Sequence, residues 1–184
     1  MHPIYGNHTN SKEDWLMIDF LRKNVWAAAL LLALRLYVGY TWVSAGLHKM
    51  TGGGFDASGF LKGALAKASG ENPIVQGWWA SFLEHVAIPN AQLFSLMVQW
   101  GELLVGIGLI VGGLTRTAAF FGIVMNMSFL LSGSISANPI MIILTLFILV
   151  AYTNAGRFGV DQLLFRRLKL TRSHTPQSST STSV

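Results

Sequence analysis

Long apolar stretches recur along the chain with few polar interruptions, and they set its elements. Residues 25–47 hold a single charge, Arg35, and residues 93–113 hold a single charge, Glu102. Residues 117–131 and 139–155 hold none. A helix needs about 20 apolar residues to cross a bilayer core, so the first two stretches read as full spans and the last two as short ones. Gly112-Gly113 is expected to end the second helix and Thr115 to cap the third. Residues 133–138 form the next turn, and Asn138-Pro139 reads as an N-cap followed by the first helical position. The pattern predicts an all-α fold, a polytopic membrane four-helix bundle with interfacial amphipathic helices. A signal peptide is not expected for the first stretch, because its apolar core would be only about 7–15 residues and no small-residue cleavage pattern follows.

The intervening pieces are amphipathic or loose. From Ser11, acidic residues and then Trp15, Leu16, Ile18, Phe20 and Leu21 suggest a short helix lying on a membrane surface. An insert at 51–91 opens with Gly52-Gly53-Gly54 and continues with two helical stretches, 58–67 and 73–86. The second carries Trp78 and Trp79, residues that favour the membrane–water interface. Residues 162–170 alternate apolar residues with Arg166, Arg167 and Lys169, as a surface anchor does. The Ser/Thr-rich tail from Thr171 is expected to be disordered. Three regions result: an amphipathic N-terminus (1–24), a four-span membrane domain with its insert (25–155), and a basic segment with the tail (156–184).

Composition sharpens this picture. Charged residues make up 11% of the 184 residues, against about 25% in a typical soluble domain, which argues against a water-exposed surface all round. The chain has no cysteine, so disulfides, thiol nucleophiles and Cys-ligated metal clusters within it are excluded. The formal net charge is +5, but the cations sit beside apolar segments, so no nucleic acid is expected as partner. Lys12, Arg22, Lys23, Arg116, Arg157 and the basic residues of 166–172 fall on one side of the four spans, against Lys49, Lys62 and Lys67 on the other. The positive-inside rule then predicts a multi-pass protein of the cell membrane with both termini cytoplasmic and the insert external.

The few charges within the spans are the candidates for chemistry, because intramembrane ionisable groups are costly and need partners. At 1.5 Å per residue, Arg35, Glu102 and Asn126 each lie about 15 Å from the end of their own span. Antiparallel neighbours would bring the three together near the midplane, with Gln99 one turn from Glu102. Such a cluster either fixes helix register or works as a catalytic pair, Glu102 carrying protons and Arg35 orienting an anionic or carbonyl group. Arg35, Gly39, Trp42, Gly46 and Lys49 form one stripe along the first helix. Gly39 and Gly46 serve either a ligand surface or close helix packing. His48 and Lys49 lie at the end of that stripe, where Trp78, Trp79 and His85 could fold over them as a lid. An aromatic cleft of this kind suits a quinone headgroup, with Trp42, His48, Lys49 and Asn126 as its binding residues. His48 and His85 are too poor a ligand set to predict a metal, and no covalently bound cofactor is expected. Gly108 and Gly112 form a GxxxG pair that fits internal packing or dimerisation alike.

Taken in order, these residues resemble the DoxX/DoxD-like family of membrane proteins. The resemblance rests on Arg35-Leu36-x-x-Gly39 leading to Gly46-x-x-Lys49, on Glu102 followed by Gly106 and Leu114-Thr115, and on the ending Asn154-Ala155-Gly156-Arg157-Phe158-Gly159-Val160-Asp161. That ending is similar to the family's Gly-x-Gly-Arg-Tyr-Ser-Leu-Asp pattern. The long insert resembles the DoxD-like large-subunit branch. The resemblance implies a four-helix membrane bundle and a role as the quinone-reducing large subunit of a thiosulfate:quinone oxidoreductase, with membrane quinone and a small partner subunit. It equally allows a non-enzymatic scaffold in oxidative-stress or quinone detoxification. Arg157 and Asp161, four residues apart, are expected to pair in a structural role.

Overall fold

The computed structural model describes residue 16 and residues 18–161. Helical backbone at 18–23 breaks at Asn24, whose side chain accepts a hydrogen bond from Trp26 N at 2.7 Å and so caps the next helix. That helix, α1, spans Val25–Thr51. The insert supplies α2 (Ala57–Ala66) and α3 (Gly77–Phe82), which runs on into a π-helical turn, Leu83–Ala87. Then come α4 (Ala91–Val111), α5 (Thr115–Leu131), α6 (Asn138–Val150) and a 3₁₀ turn, Tyr152–Gly156. Among the described residues there is no strand. The surface helix expected from Ser11 falls within the described residues only at its end, and the expected anchor (162–170) and tail lie outside them.

Helices α1, α4, α5 and α6 pack in a ring, with α1 against α4 the most extensive pair. Leu31, Val38, Trp42, Val105, Leu109, Ala119 and Ile148 fill the centre. Glycines let α1 and α4 approach. A Cβ on Gly106 would fall 2.6 Å from Val43 N and 2.7 Å from the Gly39 carbonyl oxygen, and one on Gly46 2.9 Å from Leu103 N. Gly39 and Gly46 are therefore packing notches. Gly106→Val is expected to force these backbones apart and cost at least about 1–3 kcal/mol, the usual penalty of overpacking; a detergent-denaturation midpoint that matches the wild type would refute this.

The outward faces are as apolar as the core. Tyr40, Trp100, Leu104, Phe120, Phe121 and Ile143 are all exposed. Helices that are apolar all round belong in a membrane rather than in water. Two of them, α1 and α4, are long and apolar enough to cross a bilayer, while α5 and α6 are shorter. The chain is an all-α membrane protein.

Helices α2 and α3 close one end of the bundle, here the cap end; the opposite end is the base. They share a small core of Ala57, Leu61, Ala64, Val75, Leu83 and Ala87. Helix α2 begins where Asp56 accepts from Ser58 N at 2.9 Å; hydrogen bonds from Ser58 hold this exposed carboxyl below the ordinary range. Ser95 of α4 accepts from Ala57 N at 2.9 Å. Lys67 donates to the Gly133 carbonyl and Trp79 Nε1 to Ser132 Oγ, which pins the cap to the end of α5. The second insert helix starts at Gly77 rather than at residue 73, because Ile74 N and Val75 N turn back onto the Lys67 carbonyl.

Candidate functional site

Arg35 and Glu102 do not meet. Gly39 faces Gly106 and Ile110, and Gly46 faces Gln99 and Leu103. Carried along the two antiparallel helices, that register sets Arg35 opposite Gly112 and Glu102 opposite about residue 45, roughly 15 Å apart. Arginine side chains on a helix also lean toward its N-terminus, which takes the guanidinium further toward the base. There Nη1 donates to the Ala155 carbonyl at 2.9 Å and Nη2 to the Phe158 carbonyl at 3.1 Å. Gly112, in the left-handed region at φ 67°, makes room: a Cβ there would fall 2.5 Å from Nη1.

The base is a knot built on that arginine. Asp161 accepts from Leu114 N at 2.7 Å and Thr115 N at 2.9 Å, so a carboxylate from 47 residues further along the chain caps α5. Its own N–H donates to the Gly112 carbonyl. Thr115 is thus capped rather than capping. Arg157 does not pair with Asp161; it reaches the Lys23 carbonyl at 3.5 Å. Asn154 donates to the Leu21 and Asn24 carbonyls, tying the 3₁₀ turn to the start of α1. Every one of these groups satisfies backbone at a helix or turn end, which is structural work.

Glu102 takes Lys49 as its partner. The ammonium lies 2.9 Å from Oε1 and 2.7 Å from Oε2, with the glutamate side chain 2% exposed and the lysine 25%. The stripe on α1 therefore does its electrostatic work at Lys49, toward the cap. Phe55 roofs the pair, its ring centroid 5.6 Å from the ammonium, and its carbonyl accepts from Gln99 Nε2 at 3.1 Å. This roof replaces the expected tryptophan lid. Trp79 instead stacks on Phe82 and bonds Ser132, while His85 bonds the Ser81 carbonyl on the surface. His48 is exposed, its ring beside Gly52.

Beside the pair stand two buried donors with no acceptor, Trp42 Nε1 and Asn126 Nδ2. A Cβ on Gly122 would fall 3.3 Å from Trp42 Nε1 and 3.2 Å from Val105 Cγ1, so α1, α4 and α5 meet at that level. Asn126 lies one turn toward the cap from Gly122, and Glu102 nearly one turn toward the cap from Val105. The two are at the same depth to within about 2 Å. Asn126 also leans toward its helix N-terminus, hence toward Trp42. A buried amide or indole N–H left unmatched costs about 1–3 kcal/mol, so these two donors, within about a helical turn of each other in depth, are candidates to hold an acceptor oxygen, as are Arg35 Nε and Thr115 Oγ1, buried without a partner at the base. Of the residues expected to form the site, Trp42, Lys49, Glu102 and Asn126 gather here; Arg35 and His48 do not. Phe55 and the Lys49–Glu102 pairing were missed. The glycine notches, which fix the α1–α4 register, are the signal that could have found the pairing.

The DoxX family model matches residues 30–134. The chain belongs to the DoxX family. It is thereby an integral membrane protein, in keeping with its apolar outward faces. No curated protein and no solved structure matches it. The DoxX match takes in Arg35, the α1 stripe, Glu102 and Asn126, so both the arginine knot and the polar centre lie on DoxX-type helices. The segment 154–161 falls outside the matched residues, yet it supplies the carbonyls that Arg35 holds.

Proposed function

We propose that this DoxX protein is a multi-pass membrane subunit that binds and reduces quinone at its polar centre, as the large subunit of a thiosulfate:quinone oxidoreductase of the DoxD-like branch. The observation that carries the reading is the pair of buried, acceptorless donors, Trp42 Nε1 and Asn126 Nδ2, within about one helical turn of Glu102 in depth. Two N–H groups this close in depth suit one carbonyl oxygen between them, and such donors hold it more tightly as it gains negative charge on reduction. The carboxylate of Glu102 then handles protons at that depth. Lys49, a quarter exposed toward the cap, connects it to the cap-end surface. The quinone takes up two electrons and two protons; two thiosulfate ions supply the electrons by joining through a sulfur–sulfur bond. Lys and Arg placement supports an orientation with the base and both termini cytoplasmic and the cap outside.

The test is thiosulfate-driven reduction of decylubiquinone by the protein purified from membranes with the subunits that copurify. Glu102→Gln is expected to lower turnover about a hundredfold, the usual worth of a proton-transfer group. Asn126→Leu is expected to raise KM about tenfold through the lost hydrogen bond. Unchanged turnover in Glu102→Gln at normal protein level would remove the proton role. Quinone binding with no thiosulfate oxidation would favour an accessory scaffold in quinone detoxification.

A further inference from the structure

An apolar groove runs between α4 and α5 and opens sideways at Met97, Trp100 and Leu104, whose side chains are exposed. None of Trp42, Lys49, Glu102 and Asn126 lines it. Phe55 does, and its ring centroid also lies 5.6 Å from the Lys49 ammonium. This side chain therefore stands between the groove and the Lys49–Glu102 pair. Val105 and Met125 wall the groove nearer mid-depth, but both belong to bundle helices. Phe55 hangs instead on a strap, residues 52–56, that joins the end of α1 to the start of α2. The strap is tied at each end. Gly52 N donates to the His48 carbonyl at 3.0 Å, and Ala57 N donates to Ser95 Oγ at 2.9 Å. Between those ties, among the described residues, one hydrogen bond joins its backbone to the bundle, from Gln99 Nε2 to the Phe55 carbonyl at 3.1 Å. Gly53 and Gly54 stand at φ 93° and 90°, and a Cβ on either would meet nothing within 4 Å. The strap can turn at these two glycines without a collision. What opposes the turn is the Gln99 bond, the cation–π contact and the packing of Phe55 on the cap core, each modest.

We propose that Phe55 gates the Lys49–Glu102 pair against the groove, with Gln99 as its latch and Gly53-Gly54 as its hinge. With the ring in place, the pair is closed to the bilayer side of the bundle. With the ring swung aside, the groove leads to the Lys49 ammonium and the carboxylate it holds. Gln99 is then a positioning residue, because it acts on the pair through Phe55 and touches neither charge. In the function proposed above, this gate is the entrance by which a quinone headgroup in the bilayer reaches the polar centre. That use rests on the quinone reading; the gate itself does not.

The full protein in phosphatidylcholine nanodiscs is treated with an amine-acetylating ester in two forms, one that dissolves in the bilayer and one sulfonated and confined to water. Acetylation of Lys49 is read by mass spectrometry against that of Lys62, which is exposed on α2. The ratio of bilayer-soluble to water-confined labelling at Lys49 isolates access, because a change in the reactivity of the amine affects both forms alike. That ratio is expected to rise about tenfold in Phe55→Ala and about fivefold in Gln99→Leu. Phe55→Tyr, a ring of the same size, should keep the wild-type ratio. So should Gln76→Leu, which removes a surface bond to Trp78 in the same insert. A wild-type ratio in both Phe55→Ala and Gln99→Leu would overturn the gate. A rise in labelling by the water-confined form alone would also overturn it, since the opening would then face the cap-end surface. Neither ester needs a quinone, so the two readings fail separately. A raised ratio in protein that reduces no quinone keeps the gate and removes the quinone reading; quinone reduction with an unchanged ratio does the reverse.

Discussion

Lys49→Met is expected to destabilise the protein by about 3–5 kcal/mol, far more than the loss of a surface ion pair. The reason is the carboxylate left behind. Glu102 is 2% exposed and both its oxygens bond the one ammonium, so the variant strands a charge in apolar surroundings. Replacing both partners, Lys49→Met with Glu102→Leu, should restore most of the loss, because a buried pair is often no better for stability than apolar residues of similar size. Denaturant titration in mixed micelles measures both. A single-variant cost below about 1 kcal/mol would show the pair to be as weak as a solvated one. A double variant that recovers stability but not quinone reduction would show why a costly pair is present at all.

Arg35→Met is expected to cost a similar amount and to act elsewhere. The guanidinium makes two charge-assisted bonds to the Ala155 and Phe158 carbonyls, each worth about 1.5–3 kcal/mol. Their loss frees the turn that brings Asp161 to the start of α5, so stability falls by about 3–5 kcal/mol and cleavage by added protease between residues 154 and 161 rises. Quinone affinity of the folded fraction should stay within about twofold, because roughly 15 Å separates Arg35 from Glu102 along the helices. A large loss of affinity with normal stability would instead place Arg35 at the polar centre.

The four helices and their ends were legible because apolar runs, Gly112 and Pro139 each carry local information. The polar centre was half legible: Trp42, Lys49, Glu102 and Asn126 stand out as polar or small-neighboured residues on apolar helices. Their pairing was misread because depth was measured from each helix's own end, as though the ends lay level. At 27 residues α1 is about 40 Å long and α4, at 21, about 31 Å. The excess of α1 extends past the base, and it carries Arg35 away from the centre. Phe55 was not legible, since it follows three glycines that read as a loose loop. Nor was Asp161 as the cap of α5, because its partners lie 47 and 46 residues earlier and no local pattern joins them.

The most direct test of the polar centre is the infrared carbonyl band of a ¹³C-labelled benzoquinone bound to the purified protein. If Trp42 Nε1 and Asn126 Nδ2 hold one carbonyl oxygen, the labelled band shifts to lower frequency than in apolar solvent. The shift then shrinks in Asn126→Leu while the far-ultraviolet helical signal is unchanged. A bound quinone whose carbonyl band is the same in wild type and Asn126→Leu would contradict the site.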